Sequence, residues 1–149
     1  DTVTSTFGVG NRPRHAEFAA DGDRAYVTGE LDASVSVIDV GKHQVLDVVK
    51  LAGEMVRPMG AVMSRDGATL FVTTGRGRLL YAIDAPSLRP RGSVQVGERP
   101  WGLGISPDGR RVYTANGPSN DVSVVDATSM TVVKTIAAGT TPWGIVVVE

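Results

Sequence analysis

Cysteine is absent from the 149 residues, and with it go disulfides, covalent c-type haem attachment and thiolate metal sites. The redox compartment stays open on that ground. No apolar run approaches the roughly 20 residues of a membrane helix. The chain opens on Asp1 with neither an initiator Met nor a signal sequence, so it reads as processed or as cut from something longer. A surplus of positive charge is missing too. Fifteen basic residues against 16 acidic ones argue against a general nucleic-acid or anionic-membrane binder. Lysine is scarce, three residues against twelve Arg, and the planar guanidinium fork suits bidentate contact with carboxylates. Between the Gly and Pro punctuation marks no segment sustains i, i+3, i+4 apolar spacing, which excludes a helical reading. No GxSxG nucleophile signature or calcium-loop spacing occurs, and Gly75-Arg76-Gly77-Arg78 is too short, with no following helix, to be a phosphate loop.

What the sequence does have is a repeat. Asp21-Gly22, Asp66-Gly67 and Asp108-Gly109 fall into register at offsets of 45 and 42 residues, and Pro13, Pro58, Pro100 and Pro142 mark the same period, as do Asp39, Asp84 and Asp126. A period of roughly 40–45 residues is the length of a four-stranded propeller blade. Hydrophobic content of 42% is ordinary for a folded domain with a core.

Each unit reads as four strands. A first apolar stretch follows Pro (His15 to Ala19, Gly60 to Ser64, Gly102 to Ser106) and ends in an Asp-Gly turn, where glycine accepts φ > 0. This is the inner strand. The second stretch, Ala25 to Thr28, Leu70 to Thr73 and Val112 to Ala115, is β-branched and aromatic. The third runs Ser34 to Asp39, Leu79 to Asp84 and Asp121 to Asp126, its terminal Asp placed to cap the next turn through backbone amides. The fourth, as in Val45 to Leu51 and Thr131 to Ile136, is the outer edge. Gly60, Gly102 and Gly144 follow their Pro by two residues, where inner strands crowd together and a side chain obstructs close approach. His15 is the exception.

The string from Arg99 to Val148, with Tyr113-Thr114-Ala115-Asn116 at its centre, resembles the YVTN-type β-propeller repeat, and Tyr26-Val27-Thr28-Gly29 and Phe71-Val72-Thr73-Thr74 are more divergent copies. The segment Asn116 to Asp126 followed by Pro142-Trp143-Gly144 is most similar to the propellers that accompany alcohol oxidation dependent on pyrroloquinoline quinone. The resemblance implies a periplasmic or secreted protein, more distantly related to haem-carrying nitrite reductase propellers and amine dehydrogenase heavy chains. It hands over no reaction, because a fold does not fix a function.

The expected fold is therefore all-β: three four-stranded antiparallel blades at 11–55, 56–97 and 98–139, an outer strand of a preceding blade within 1–10, and an inner strand of a closing blade within 140–149. Three blades leave two apolar faces bare, and propellers need about four to eight. The chain reads as the carboxyl-terminal half of a roughly seven-bladed protein, with Glu149 as a true carboxyl end. The alternative is a half-propeller completed by a second chain. The expected partners are accordingly the missing half or that second chain, with a redox or other periplasmic protein as a further partner.

In this strand order the loops before the inner strand and between the second and third strands share one face. That face collects Arg12, Arg14, Arg57, Arg76, Arg78 and Arg99, half of all the arginines, with Glu30, Asp32, Glu54, Glu98, Asn120 and Asp121. The candidate ligand-binding residues are Arg14, His15, Arg57, Arg76, Arg78, Arg99, Trp101 and Asn116; no catalytic residue and no metal site is assigned. Either the guanidinium groups converge on an anionic ligand or they pair with carboxylates of their own loops. His15 lines the channel, as a backbone-bonded side chain or as a base or axial ligand; one His without a second donor makes no zinc or copper site. Trp101 and Trp143 share a repeat position and read as wedges between blades. Three functional readings follow: a non-catalytic binding module for a protein or small anion, a quinone- or haem-holding oxidoreductase or its accessory, and a lactonase whose site is split between this half and the other.

Overall fold

The computed structural model describes residues 2–148; Asp1 and the expected terminus Glu149 lie outside the described residues. Twelve strands form three separate four-stranded antiparallel sheets, each in simple sequence order. The first holds β1 (Pro13–Phe18), β2 (Arg24–Gly29), β3 (Ser34–Asp39) and β4 (Gln44–Lys50). The second holds β5 (Ala61–Met63), β6 (Thr69–Thr73), β7 (Leu79–Asp84) and β8 (Arg89–Gln95), with one 3-10 turn at Gly75–Gly77. The third holds β9 (Pro100–Ile105), β10 (Arg111–Asn116), β11 (Asp121–Asp126) and β12 (Thr131–Ala137). These are propeller blades, and the third strands have the bounds that the sequence period gives them. Among the described residues no helix is long and apolar enough to cross a membrane.

Alternation along the middle blade shows how the blades pack. Leu70, Val72, Tyr81 and Ile83 join Val35, Val37 and Val49 of the first blade in one core, while Phe71, Leu80 and Ala82 join Val112 and Val125 of the third in another. Period-two side chains send successive residues to opposite faces, so a blade with two neighbours must be apolar on both, and β6 is buried along its whole length.

The turns are built by the recurrent Asp and Gly. Gly22, Gly67 and Gly109 take φ of +77°, +70° and +72°, a region open to glycine at no steric cost. At the same end of the blade, in the turn between third and fourth strands, the amides of Lys42, Ser87 and Ser129 donate to Asp39, Asp84 and Asp126 at 2.8–2.9 Å.

Blades are joined at their inner strands by a hydroxyl relay. Thr73 Oγ1 accepts from Gly60 N (3.0 Å) and donates to Trp101 O of the next blade (2.7 Å). Thr28 repeats this between His15 N (3.1 Å) and Met59 O (2.7 Å). The third blade has Ala115 at that position, and Gly102 N donates directly to Trp143 O at 3.0 Å.

Among the described residues the two flanks have no strand partner in this chain. Neither Thr2 to Phe7 nor Trp143 to Val148 forms a ladder. A strand needs a hydrogen-bonded neighbour within its own blade, and neither segment has one among the described residues. Trp143 to Val147 nevertheless runs beside β9, with Ile145 and Val147 against Gly104, in the place an inner strand takes beside the preceding blade.

Two predictions follow from these bonds. Replacing Thr73 by Val keeps the shape, removes the relay and leaves Gly60 N and Trp101 O unpaired, which costs about 1–3 kcal/mol in chemical denaturation of the intact protein. Asp39 is held below its ordinary 3.8 by the Lys42 amide, Asp66 by the Ser64 hydroxyl, Asp84 by the Ser87 hydroxyl, Asp108 by the Ser106 hydroxyl and Asp126 by the Ser129 amide. A carboxylate whose pKa falls on folding stabilises above its unfolded value. Denaturation midpoints should therefore be flat on this account from neutral pH to about 4 and fall as the pH drops further; a midpoint rising on acidification through that range contradicts it.

Candidate functional site

The residue after Pro13, Pro58 and Pro100 lies at the channel mouth and meets a residue near the start of the loop between second and third strands in its own blade. Sixteen positions separate the two members of each pair. In the second and third blades the pair is a large side chain over glycine. A Cβ on Gly75 would lie 3.0 Å from Met59 Cγ, and one on Gly117 would lie 2.4 Å from Trp101 Cζ3. In the first blade the pair is Arg14 and Glu30, an ion pair of 3.5 Å.

Glu30 is fixed by its backbone. Its amide donates to Arg12 O at 3.1 Å, and the next amide, of Leu31, donates to Asn11 O at 3.1 Å. Its carboxylate thus meets two guanidinium groups, Arg12 Nε at 3.3 Å and Arg14 Nε at 3.5 Å. Glu30 Oε2 is nonetheless buried without a hydrogen-bond partner among the described residues.

Around this carboxylate lies a cavity of about 380 Å³ lined by Arg12, Arg14, Arg57, Arg76 and Arg99, with Glu30, Met59, Gly75, Trp101 and Trp143. Five arginines therefore line the cavity that holds this one carboxylate. Among the described residues Arg57 and Arg76 pair with no acid, and Arg99 lies 5.3 Å above the Trp101 ring in a cation–π contact. Trp101 stacks in turn on Trp143, with centroids 4.2 Å apart at 36°.

Loop length decides how each Arg is delivered. Arg12 and Arg99 precede their Pro with φ of +56° and +47°, a conformation that costs a non-glycine residue of order 1 kcal/mol or more. Three extra residues before Pro58 shift the left-handed positions to Gly53 (+122°) and Met55 (+55°). Arg57 escapes the strain, and its amide donates to Thr74 O at 3.0 Å.

Deeper along the channel a second cavity of about 300 Å³ shares Arg14, Met59, Trp101 and Trp143 with the first and adds His15, Ala61, Leu103 and Ile145. His15 Nε2 is 3.6 Å from Glu17 Oε2, and Glu17 Oε1 accepts from Met63 N of the next blade at 2.8 Å.

Of the residues expected at the site, Arg14, Arg57, Arg76, Arg99 and Trp101 come together, with His15 in the adjoining cavity. Arg78 does not join them: it is left-handed at φ +57° and faces Glu98 at 3.6 Å. Asn116 is buried, with its amide group on Asp121 and Ser123 and its carbonyl accepting from Thr114, so it holds the third blade's loop and offers nothing to a ligand. Met59 and Trp143 were not expected at the mouth, and Glu30 was placed on the rim without a role. The readable signal was the spacing of sixteen residues that pairs Met59 with Gly75 and Arg14 with Glu30, and for Trp143 the repeat position it shares with Trp101. No cluster of three or more His, Cys, Asp or Glu suited to a metal occurs among the described residues. Gly117→Ala should displace the Trp101 indole and alter tryptophan fluorescence, while Gly67→Ala, with open space beside it but a left-handed φ, should lower stability and leave the emission maximum unchanged.

No curated protein sequence matches the chain. Among solved structures it is similar to a putative 6-phosphogluconolactonase of Bacteroides fragilis (TM-score 0.86, 20% identity, 96% of this chain and 44% of that one). It is also similar to the periplasmic gluconolactonase of Pseudomonas aeruginosa (TM-score 0.75, 31% identity, 90% and 42%) and to hydrazine synthase of Kuenenia stuttgartiensis (TM-score 0.82, 24% identity, 95% and 41%). The chain thus spans less than half the length of each. The family model described as lactonase, seven-bladed β-propeller, matches residues 2–137, and the chain belongs to that family.

Proposed function

We propose that the arginine-lined mouth captures a small anionic ligand and that the complete propeller opens a lactone carrying such a charge, with Glu30 as the base. The observation that carries this is Glu30 Oε2, buried, ion-paired to Arg12 Nε and Arg14 Nε and without a hydrogen-bond partner among the described residues, in a cavity lined by five arginines. A carboxylate oxygen so placed accepts a proton from water as that water adds to the lactone carbonyl. The guanidinium groups stabilise the negative charge developing on the carbonyl oxygen. The ring C–O bond then breaks, the proton passes to the leaving alkoxide, and a hydroxy acid leaves as its carboxylate. Arg57 and Arg76, which pair with no acid among the described residues, hold the ligand's own anionic group.

The names of two structural neighbours, a gluconolactonase and a putative 6-phosphogluconolactonase, support a sugar-acid lactone as the first substrate to try. The periplasmic neighbour also favours an extracytoplasmic location. Lactone opening, ranked last of three readings on the sequence, thereby moves ahead of the quinone- or haem-dependent reading, which rests on the resemblance to quinoprotein-associated propellers alone. Anion capture without turnover, as a binding module, is the second reading; Arg57 and Arg76, which pair with no acid among the described residues, favour it equally.

Proton release from 6-phosphogluconolactone, with gluconolactone as the comparison that carries no charge until it opens, followed in a pH-stat with the intact protein, tests both readings. Glu30→Gln should lower kcat by about 10²–10⁴ with anion affinity kept, and Arg57→Ala with Arg76→Ala should mainly raise KM. An unchanged rate in Glu30→Gln removes Glu30 as the base. Anion binding with no turnover of either lactone leaves the binding module.

A further inference from the structure

Two cavities of opposite character meet at the channel mouth, and the ligand that fills both must share that character. The outer one is walled by guanidinium groups. The inner one is walled by Met59, Ala61, Leu103 and Ile145 with the Trp101 and Trp143 rings, and its polar side chains are Arg14, which also faces the outer cavity, and His15. His15 is occupied with Glu17, whose other oxygen is tied to Met63 N. A polyhydroxylated ring pushed inward would thus leave most of its hydroxyl groups facing apolar wall, at the cost of their hydration.

Building on the anion capture proposed above, we infer that the ligand is an amphipathic carboxylate or its lactone: a charged or ester head at the arginine cluster and an aliphatic or aryl arm laid inward against Met59, Leu103 and Ile145. The contiguity of the two cavities through Arg14, Met59, Trp101 and Trp143 fixes the order of head and arm. Specificity then comes from the arm, because apolar contact rewards each added methylene, while the guanidinium cluster accepts any small anion. The lactones this predicts carry an alkyl, acyl or aryl substituent, in contrast to the hydrophilic sugar-acid lactones of the named neighbours.

Butyrate, hexanoate and octanoate, with gluconate as the hydrophilic anion, are titrated into the intact protein and followed by tryptophan fluorescence. Affinity should rise about fourfold for each methylene buried, with gluconate binding no better than butyrate. Leu103→Asn should flatten the series and leave gluconate unchanged, and Arg76→Ala should weaken every member alike. Should Leu103→Asn fail to fold, the slope of the unaltered protein decides. A flat series, gluconate binding above octanoate, or octanoate affinity that survives Arg76→Ala unchanged overturns the amphipathic ligand and leaves anion capture standing. If no carboxylate binds, anion capture falls and the amphipathic ligand falls with it.

Discussion

Everything in this chain depends on how closely one inner strand approaches the next. A Cβ on Gly60 would lie 2.7 Å from Trp101 O, and one on Gly102 would lie 2.8 Å from Trp143 O, distances no side chain tolerates. The backbones therefore meet with nothing between them, and the polar groups exposed by that contact must be satisfied on the spot. Thr28 and Thr73 do so by accepting from their own blade and donating to the next, and where Ala115 supplies no hydroxyl the direct bond from Gly102 N takes over. Unpaired amides at this depth would cost more than the bonds themselves return. The relay thus fixes the angle between blades, and the angle fixes where the residue after each Pro points.

That residue is where the repeat stops being structural. Met59 over Gly75 and Trp101 over Gly117 solve a packing problem: a large apolar group needs a neighbour without a side chain. Arg14 over Glu30 solves it with charge at the same backbone positions, which costs desolvation that an apolar pair does not incur. Arg12, at a left-handed φ, adds a second charge to the same carboxylate. An ion pair at one place, in a scaffold that shows twice how to avoid the charge, sets the mouth of the first blade apart from the other two.

Much of the fold was legible because its causes are local. Asp-Gly turns, terminal Asp caps and β-branched runs each act within a few residues, so strands β3, β7 and β11 could be bounded from the sequence. The flanks could not be, since a ladder depends on a neighbour that local sequence does not name. At the site, spacing brought the arginines to one face, but their grouping depends on loop conformation. Arg78 turns away to Glu98 after a single left-handed residue. Asn116, read as a ligand-binding residue from its place near the loop between second and third strands, is consumed by Asp121, Ser123 and Thr114.

The distribution of irregularities also says where in the assembly chemistry can sit. The first blade carries the Arg14–Glu30 pair and places His15 where the other units have glycine, whereas the second and third carry aromatic and thioether side chains at the mouth. A site built from these parts is therefore layered along the channel: arginines from all three blades line the mouth, apolar side chains line the cavity inside it, and Trp101 is stacked between Arg99 and Trp143 where the two meet. A propeller whose blades all carried the same mouth residue would present a ring of one character and could orient nothing. Divergence at a single repeat position, with the close approach of the inner strands kept around it, is enough to make the blades differ at the mouth.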